Sequence, residues 1–175
     1  PDTLYRFVGF RNYERLIGDL DFWIAFGRTV LFLAIALNLE LVFGLGIALL
    51  INKITYGQRT LRTLMMFPMM FSPILVGFQW KYIFNDNIGL MNNFLREFGV
   101  IQPIPWLVDG ILANVSIMAA EIWSSTSVFA ILLLAGLLGI PKDPIEAAKV
   151  DGCNSWQVFK NITLPFLMPF VFIAM

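Results

Sequence analysis

The chain has 175 residues, 58% of them hydrophobic and 14% charged, with 12 basic and 12 acidic side chains and a formal net charge of zero. A soluble domain carries about 45–50% apolar and about 25% charged residues, so this composition fits lipid as its solvent. No His and a single Cys, Cys153, exclude an intrachain disulfide, a His/Cys metal cluster and His-based proton transfer, and the even charge balance lacks the basic stripe of a nucleic-acid binder.

From the N-terminus, residues 1–21 carry charges, lack the apolar run of a signal peptide, and are expected to be an external segment. A bilayer core of about 30 Å requires about 20 predominantly apolar residues in a helix. Residues 22–51, 64–84 and 111–140 meet that length and are expected to be membrane spans. Residues 166–175 start a fourth span that is too short to cross alone, so the chain reads as part of a longer one. The predicted fold is all-α: a polytopic transmembrane helical bundle in one domain, with about three full spans and the start of a fourth.

Pro68 and Pro73 fall inside the second expected span, where each removes a backbone donor and favours a kink. Trp80 and Tyr82 stand at its end, where amphipathic rings suit the headgroup level. Trp106, flanked by Pro103 and Pro105, reads as another interfacial anchor. Gly44, Gly46, Gly136 and Gly139 are expected to let helices approach closely. Lys53, Arg59 and Arg62 crowd the connection 52–63, which has no acid, whereas the connection 85–110 has Arg96 as its one basic residue. The positive-inside bias makes the first connection cytoplasmic, and alternation then places 1–21 and 85–110 outside and 141–165 inside. Arg6, Arg11 and Arg15 in the external segment weigh against this assignment without reversing it.

Two ionisable residues, Glu40 and Glu121, fall within apolar spans. Charge at that depth is costly and ordinarily faces a cavity or a partner. Asn38 lies two residues before Glu40, and Ser124 and Ser125 follow Glu121 at i+3 and i+4, on one helix face. With the ring of Trp123, these groups are candidates to line a path and hydrogen-bond solute hydroxyls. Hydrogen bonding between neighbouring helices accounts for them as well.

Residues 141–165 read PKDPIEAAKVDGCNSWQVFKNITLP, two short helices joined by a turn. Asp143 is spaced to cap the first, with Pro144 at its first position and Glu146 three residues on. Gly152 supplies a left-handed stop. Asn154 or Ser155 caps the second helix, with Gln157 near its third position, and Pro165 is expected to end it. Ala147 and Ala148 leave a low surface over which a partner's groove can close, and the pair would form a rigid handle between two spans. An ordinary interfacial hairpin fits the same physics.

Glu146-Ala147-Ala148, then Gly152, Ile162 and Leu164-Pro165, resemble the EAA loop of binding-protein-dependent ABC importer permeases. Phe7-Val8-Gly9-Phe10-Arg11-Asn12-Tyr13 is similar to a segment of that family's carbohydrate branch. So are Trp80 to Phe84 with Ile88-Gly89-Leu90-Met91-Asn92, and Gly136-Leu137 with Ile140-Pro141. The resemblance covers essentially the whole chain. It implies a multi-pass, pore-forming permease subunit of a prokaryotic cytoplasmic (inner) membrane, not an enzyme, moving a sugar or related polyol by alternating access. It also implies partners: cytoplasmic ABC ATPase subunits, a second permease subunit, an extracytoplasmic solute-binding protein and membrane lipid, with no nucleic acid. Glu146, Ala147, Ala148, Asp151 and Gly152 would carry the ATPase contact, and Cys153 stands where a small residue is common. No catalytic residue, metal or cofactor is implied on this chain; ATP and Mg would sit on the partner ATPase, and no GxxxxGK[ST] phosphate loop occurs here. Members of the branch usually have six spans, so part of the solute site is expected elsewhere. A different reading of the same residues is a proton-coupled secondary transporter that uses Glu40 and Glu121 and needs no ATPase.

Overall fold

A computed structural model describes residues 9–100 and 102–175; Arg6, Phe7 and Val8 lie outside the described residues. The regular elements among those described are all helical: α1 (Arg11–Ile17), α2 (Leu20–Lys53), α3 (Gln58–Met66), α4 (Pro73–Ile83), α5 (Leu90–Glu97), α6 (Gly110–Leu138), α7 (Lys142–Val150), α8 (Ser155–Val158) and α9 (Leu164–Ala174). Helices satisfy every backbone group within their own segment, which is what lipid demands. Among the described residues three continuous helical stretches are long and apolar enough to cross a membrane, Leu20–Lys53, Gly110–Leu138 and Ser155–Ala174, and a fourth is counted if the bent pair of α3 and α4 is one span. The 34 residues of α2 reach about 51 Å at 1.5 Å per residue, well beyond a bilayer core of about 30 Å.

The chain divides after Ile35 into two compact units. In the first, Asp19 Oδ1 accepts the N–H of Asp21 at 2.9 Å and so starts α2, and the indole of Trp23 donates to the Ile17 carbonyl at 2.8 Å. Val30, Leu31 and Leu33 further along are exposed, a surface suited to lipid or to another helix.

In the second unit, α2, α6 and α9 share a core of Ala48, Ile51, Leu133, Leu134, Leu137 and Leu167. Ala36, Glu40, Gly44 and Ala48 recur every four residues as the buried stripe of α2. A Cβ on Gly44 would stand 2.6 Å from Phe129 Cβ, and one on Gly136 would stand 2.8 Å from Phe170 Cδ2, so helices meet closely at both, as expected. Gly46 departs from the expectation: a Cβ there would meet nothing within 4 Å, because two residues from Gly44 is about 200° around the helix. Gly139 is also no packing site, since a Cβ would touch only the carbonyls of Ala135 and Gly136 in its own helix.

One proline expectation is sharpened and one corrected. Residues 64–84, expected to be one kinked span, hold the end of α3, the 3-10 turn Pro68–Met70 and α4, with a bend of 89° at the break between Met70 and Pro73. The residue before a proline is driven out of the helical region. Ser72, before Pro73, follows this rule and is extended with ψ 139°; Phe71, which no proline follows, is also extended with ψ 140°, while Phe67 stays helical before Pro68. Pro165 was expected to end a helix, yet the helix runs from Ser155 to Ala174 through the π-helical turn Phe159–Thr163. The wider turn shifts the bonding register, so the N–H that Pro165 lacks does not break the helix. The connection expected over 141–165 is therefore already the last helix from Ser155 onward.

Candidate functional site

Helix α7 begins at Lys142, with no side-chain capping bond. Asp143 is thus not the cap that its spacing suggested, and Pro144 stands at the third helical position. Proline is tolerated there because the first N–H groups of a helix have no intrahelical partner. Asp143 and Lys149 instead place a negative charge in the first turn and a positive one in the last, both favourable to the helix dipole. The stop is as expected: Gly152 has φ 82°. Its N–H bonds the Lys149 carbonyl at 3.1 Å while the Cys153 N–H bonds the Ala148 carbonyl at 2.9 Å, the two bonds of a Schellman closure. Asn154 is the cap of the second helix. It accepts the Gln157 N–H at 2.9 Å, and Gln157 Oε1 accepts the Asn154 N–H at 2.8 Å.

The turn between α7 and α8 is thereby fixed from both sides. Glu146, Ala147, Asp151 and Gly152 are exposed, Ala148 is half-buried and Val150 is 88% exposed. All five sequence-predicted contact residues lie on this one helix and its closing turn. The other face of α7 carries Ile145 and Lys149, which with Cys153 line a cavity of about 450 Å³ shared with the ends of α2 and α6 and with α8.

A second polar group lies on α2 and α6, where Glu40 is buried and Glu121 exposed. Glu40, 3% exposed, lies on the α2 stripe one turn before Gly44, which touches α6. Glu121 of α6 accepts a hydrogen bond from Ser125 Oγ at 3.0 Å and is within electrostatic range of Glu40. Trp123, Ser124 and Ser125 are half-buried. Asn38 is exposed, about 200° around α2 from Glu40. Two further hydroxyls of α6 were not singled out from sequence. Thr126 and Ser127 are buried, and Thr126 Oγ1 has no hydrogen-bond partner. With Trp123 they line a cavity of about 290 Å³ whose other walls include Phe43, Met65 and Pro68. The run Ser124-Ser125-Thr126-Ser127 was the available signal, but the i+3 and i+4 rule selects only its first two members.

From Trp123 toward the start of α6, two tryptophans pack against the helices. Trp80, expected at headgroup level, stacks on Phe84 with ring centroids 5.5 Å apart and meets Trp123 edge-on at 5.9 Å. Trp106, expected as an anchor, packs on Phe84 at 5.5 Å and donates its indole N–H to Asn92 Oδ1 at 2.9 Å. Asn92 is 3% exposed. It also donates to the carbonyls of Asp86 and Ile104, at 2.9 and 3.0 Å, and accepts the Ile104 N–H at 3.2 Å. A buried amide with both ends paired this way is a stable staple. Sequence reasoning placed Asn92 only within a family-like segment and missed this role, because nothing in the run of Asn residues at 85, 87, 92 and 93 marks which one is buried.

The chain matches the family described as binding-protein-dependent transport system inner membrane component over residues 40–175. It is 36% identical over 174 residues to a probable ABC transporter permease protein of Sinorhizobium fredii, covering 99% of this chain and 56% of that protein. A trehalose/maltose transport system permease protein of Thermococcus litoralis is 38% identical over 169 residues, covering 97% of this chain and 57% of its own. The chain thus spans a little over half the length of these relatives. Its fold is similar to the crystal structure of a bacterial ABC transporter involved in the import of the acidic polysaccharide alginate, with a TM-score of 0.85 at 23% identity, over 97% of this chain and 60% of that one.

Proposed function

The chain belongs to the family of binding-protein-dependent transport system inner membrane components, and from that membership we propose that it forms part of the membrane path of an ABC importer for a sugar or related polyol. In this reading it is a multi-pass protein of a prokaryotic inner membrane. A solute-binding protein delivers solute from outside, a second permease subunit completes the path, and separate cytoplasmic subunits bind and hydrolyse ATP.

The observation that carries the reading is the handle built by α7, Gly152 and α8. A short helix with an uncovered alanine surface suits a groove on another protein. Its Schellman closure and capping box allow little independent movement, so a push on α7 is delivered to α8. From there one continuous helix runs to Ala174 and meets α6 at Gly136. Closure of an ATPase dimer around α7 would in this way shift α9 against α6 and switch the path between inward and outward access. No residue of this chain needs to do chemistry on ATP.

Solute would pass the polar group between α2 and α6. Glu121, Ser125, Thr126 and Ser127 offer acceptors and donors for sugar hydroxyls, and Trp123 offers a ring face. The sugar assignment is supported by the trehalose/maltose relative. The test is uptake into proteoliposomes holding the full-length transporter, its binding protein and internal ATP. Uptake that needs ATP and survives a protonophore is expected. Collapse by the protonophore at constant ATP would instead favour the proton-coupled reading of Glu40 and Glu121.

A further inference from the structure

Behind α7 lies a cavity of about 450 Å³. Its volume is in the range of about 300–1,000 Å³ typical of small-molecule sites. Its wall is amphipathic. Lys53, the last residue of α2, and Lys149, in the last turn of α7, both line it, and no acidic residue does. Leu49, Leu137, Ile145 and Phe159 supply apolar wall. Two cations in a lining that, among the described residues, holds no carboxylate call for an anion, while the apolar wall would contribute nothing to a freely soluble one.

We propose that this cavity binds an anionic phospholipid of the cytoplasmic leaflet, with its phosphate at Lys53 and Lys149 and the start of an acyl chain against Leu49, Leu137 and Phe159. Basic pockets between membrane helices on the cytoplasmic side are suited to acidic headgroups. The proposal rests on the reading above that this end of the bundle faces the cytoplasm. Lys149 stands one residue after Ala148, so a bound headgroup would brace the coupling helix against the end of α2. Anionic lipid would then set how firmly α7 is held when the ATPase moves it.

The full-length transporter complex would be reconstituted in nanodiscs of phosphatidylcholine with phosphatidylglycerol, and the lipids it retains counted by native mass spectrometry. The wild type is expected to retain phosphatidylglycerol. Lys53→Gln and Lys149→Gln should each weaken that retention about fivefold, at about 1 kcal/mol per basic residue near the surface. The double variant should lose more, Lys53→Arg should keep it, and phosphatidylcholine retention should not change. Equal phosphatidylglycerol retention in the wild type and the double variant would overturn the proposal. So would release of the lipid by millimolar inorganic phosphate, which would mark a site for a soluble anion. Both readouts are independent of transport, so failure here and failure of the importer reading are separate results.

Discussion

Gly44 of α2 lies directly against Phe129 of α6: a Cβ added to Gly44 would stand 2.6 Å from Phe129 Cβ and 3.1 Å from the Ala130 nitrogen. Neither of those atoms can swing away, since both are at or on the backbone. Gly44→Ala should therefore push α2 from α6, at the about 1–3 kcal/mol of an overpacked interior, and lower the thermal midpoint of the purified full-length protein. Gly46→Ala faces open space and should leave that midpoint unchanged or raise it slightly, Ala being about 1 kcal/mol better than Gly within a helix. Equal losses from both variants would contradict the packing described.

Gly152 controls the handle. Its φ of 82° costs a side-chain-bearing residue about 1–2 kcal/mol, so Gly152→Ala should loosen the turn between α7 and α8. The expected result in reconstituted transporter is more ATP hydrolysed per solute moved, with Gly152→Asn intermediate because Asn tolerates the left-handed region. An unchanged ratio in Gly152→Ala would show that the turn carries no force.

Asn92→Ala would leave the Trp106 indole and the Ile104 N–H without their acceptor. Each buried group so stranded costs about 1–3 kcal/mol. Hydrogen exchange should rise across residues 102–109 while the core around Leu133 and Leu167 stays protected. Uniform loss of protection would instead mean that the staple is part of the global fold.

Glu121→Gln keeps an oxygen that can accept from Ser125 Oγ, so the local hydrogen bond survives and only the charge is lost. If solute hydroxyls donate to this carboxylate, affinity for solute should fall about tenfold, the difference between a charge-assisted and a neutral hydrogen bond. Solute affinity and transport rate equal to wild type would remove Glu121 from the path.

The legible parts of this chain were those governed by local rules. Apolar length marked the long helices, and Gly152 with Asn154 and Gln157 marked the turn, because capping depends only on neighbouring residues. The illegible parts turn on conformations and packing that residue type alone does not choose. Whether Pro68 and Pro73 kink or break a helix was decided by the extended backbone at Phe71 and Ser72, and whether Pro165 ends one was decided by a π turn upstream of it. Asn38 and Glu40 look equivalent in sequence, yet Glu40 is buried and Asn38 exposed. Trp80 and Trp106 suited a headgroup level by residue type, but their partners, Trp123 and Asn92, come from helices remote in sequence.

The central claim is that α7 docks in a separate ATPase. A photo-crosslinking residue at position 148 of the full-length protein, in native membranes, tests this most directly, with the captured protein identified by mass spectrometry. The account predicts capture of a soluble ATPase that carries a phosphate loop. Good expression with no such capture at position 148, and again none at 145 or 147, would contradict it.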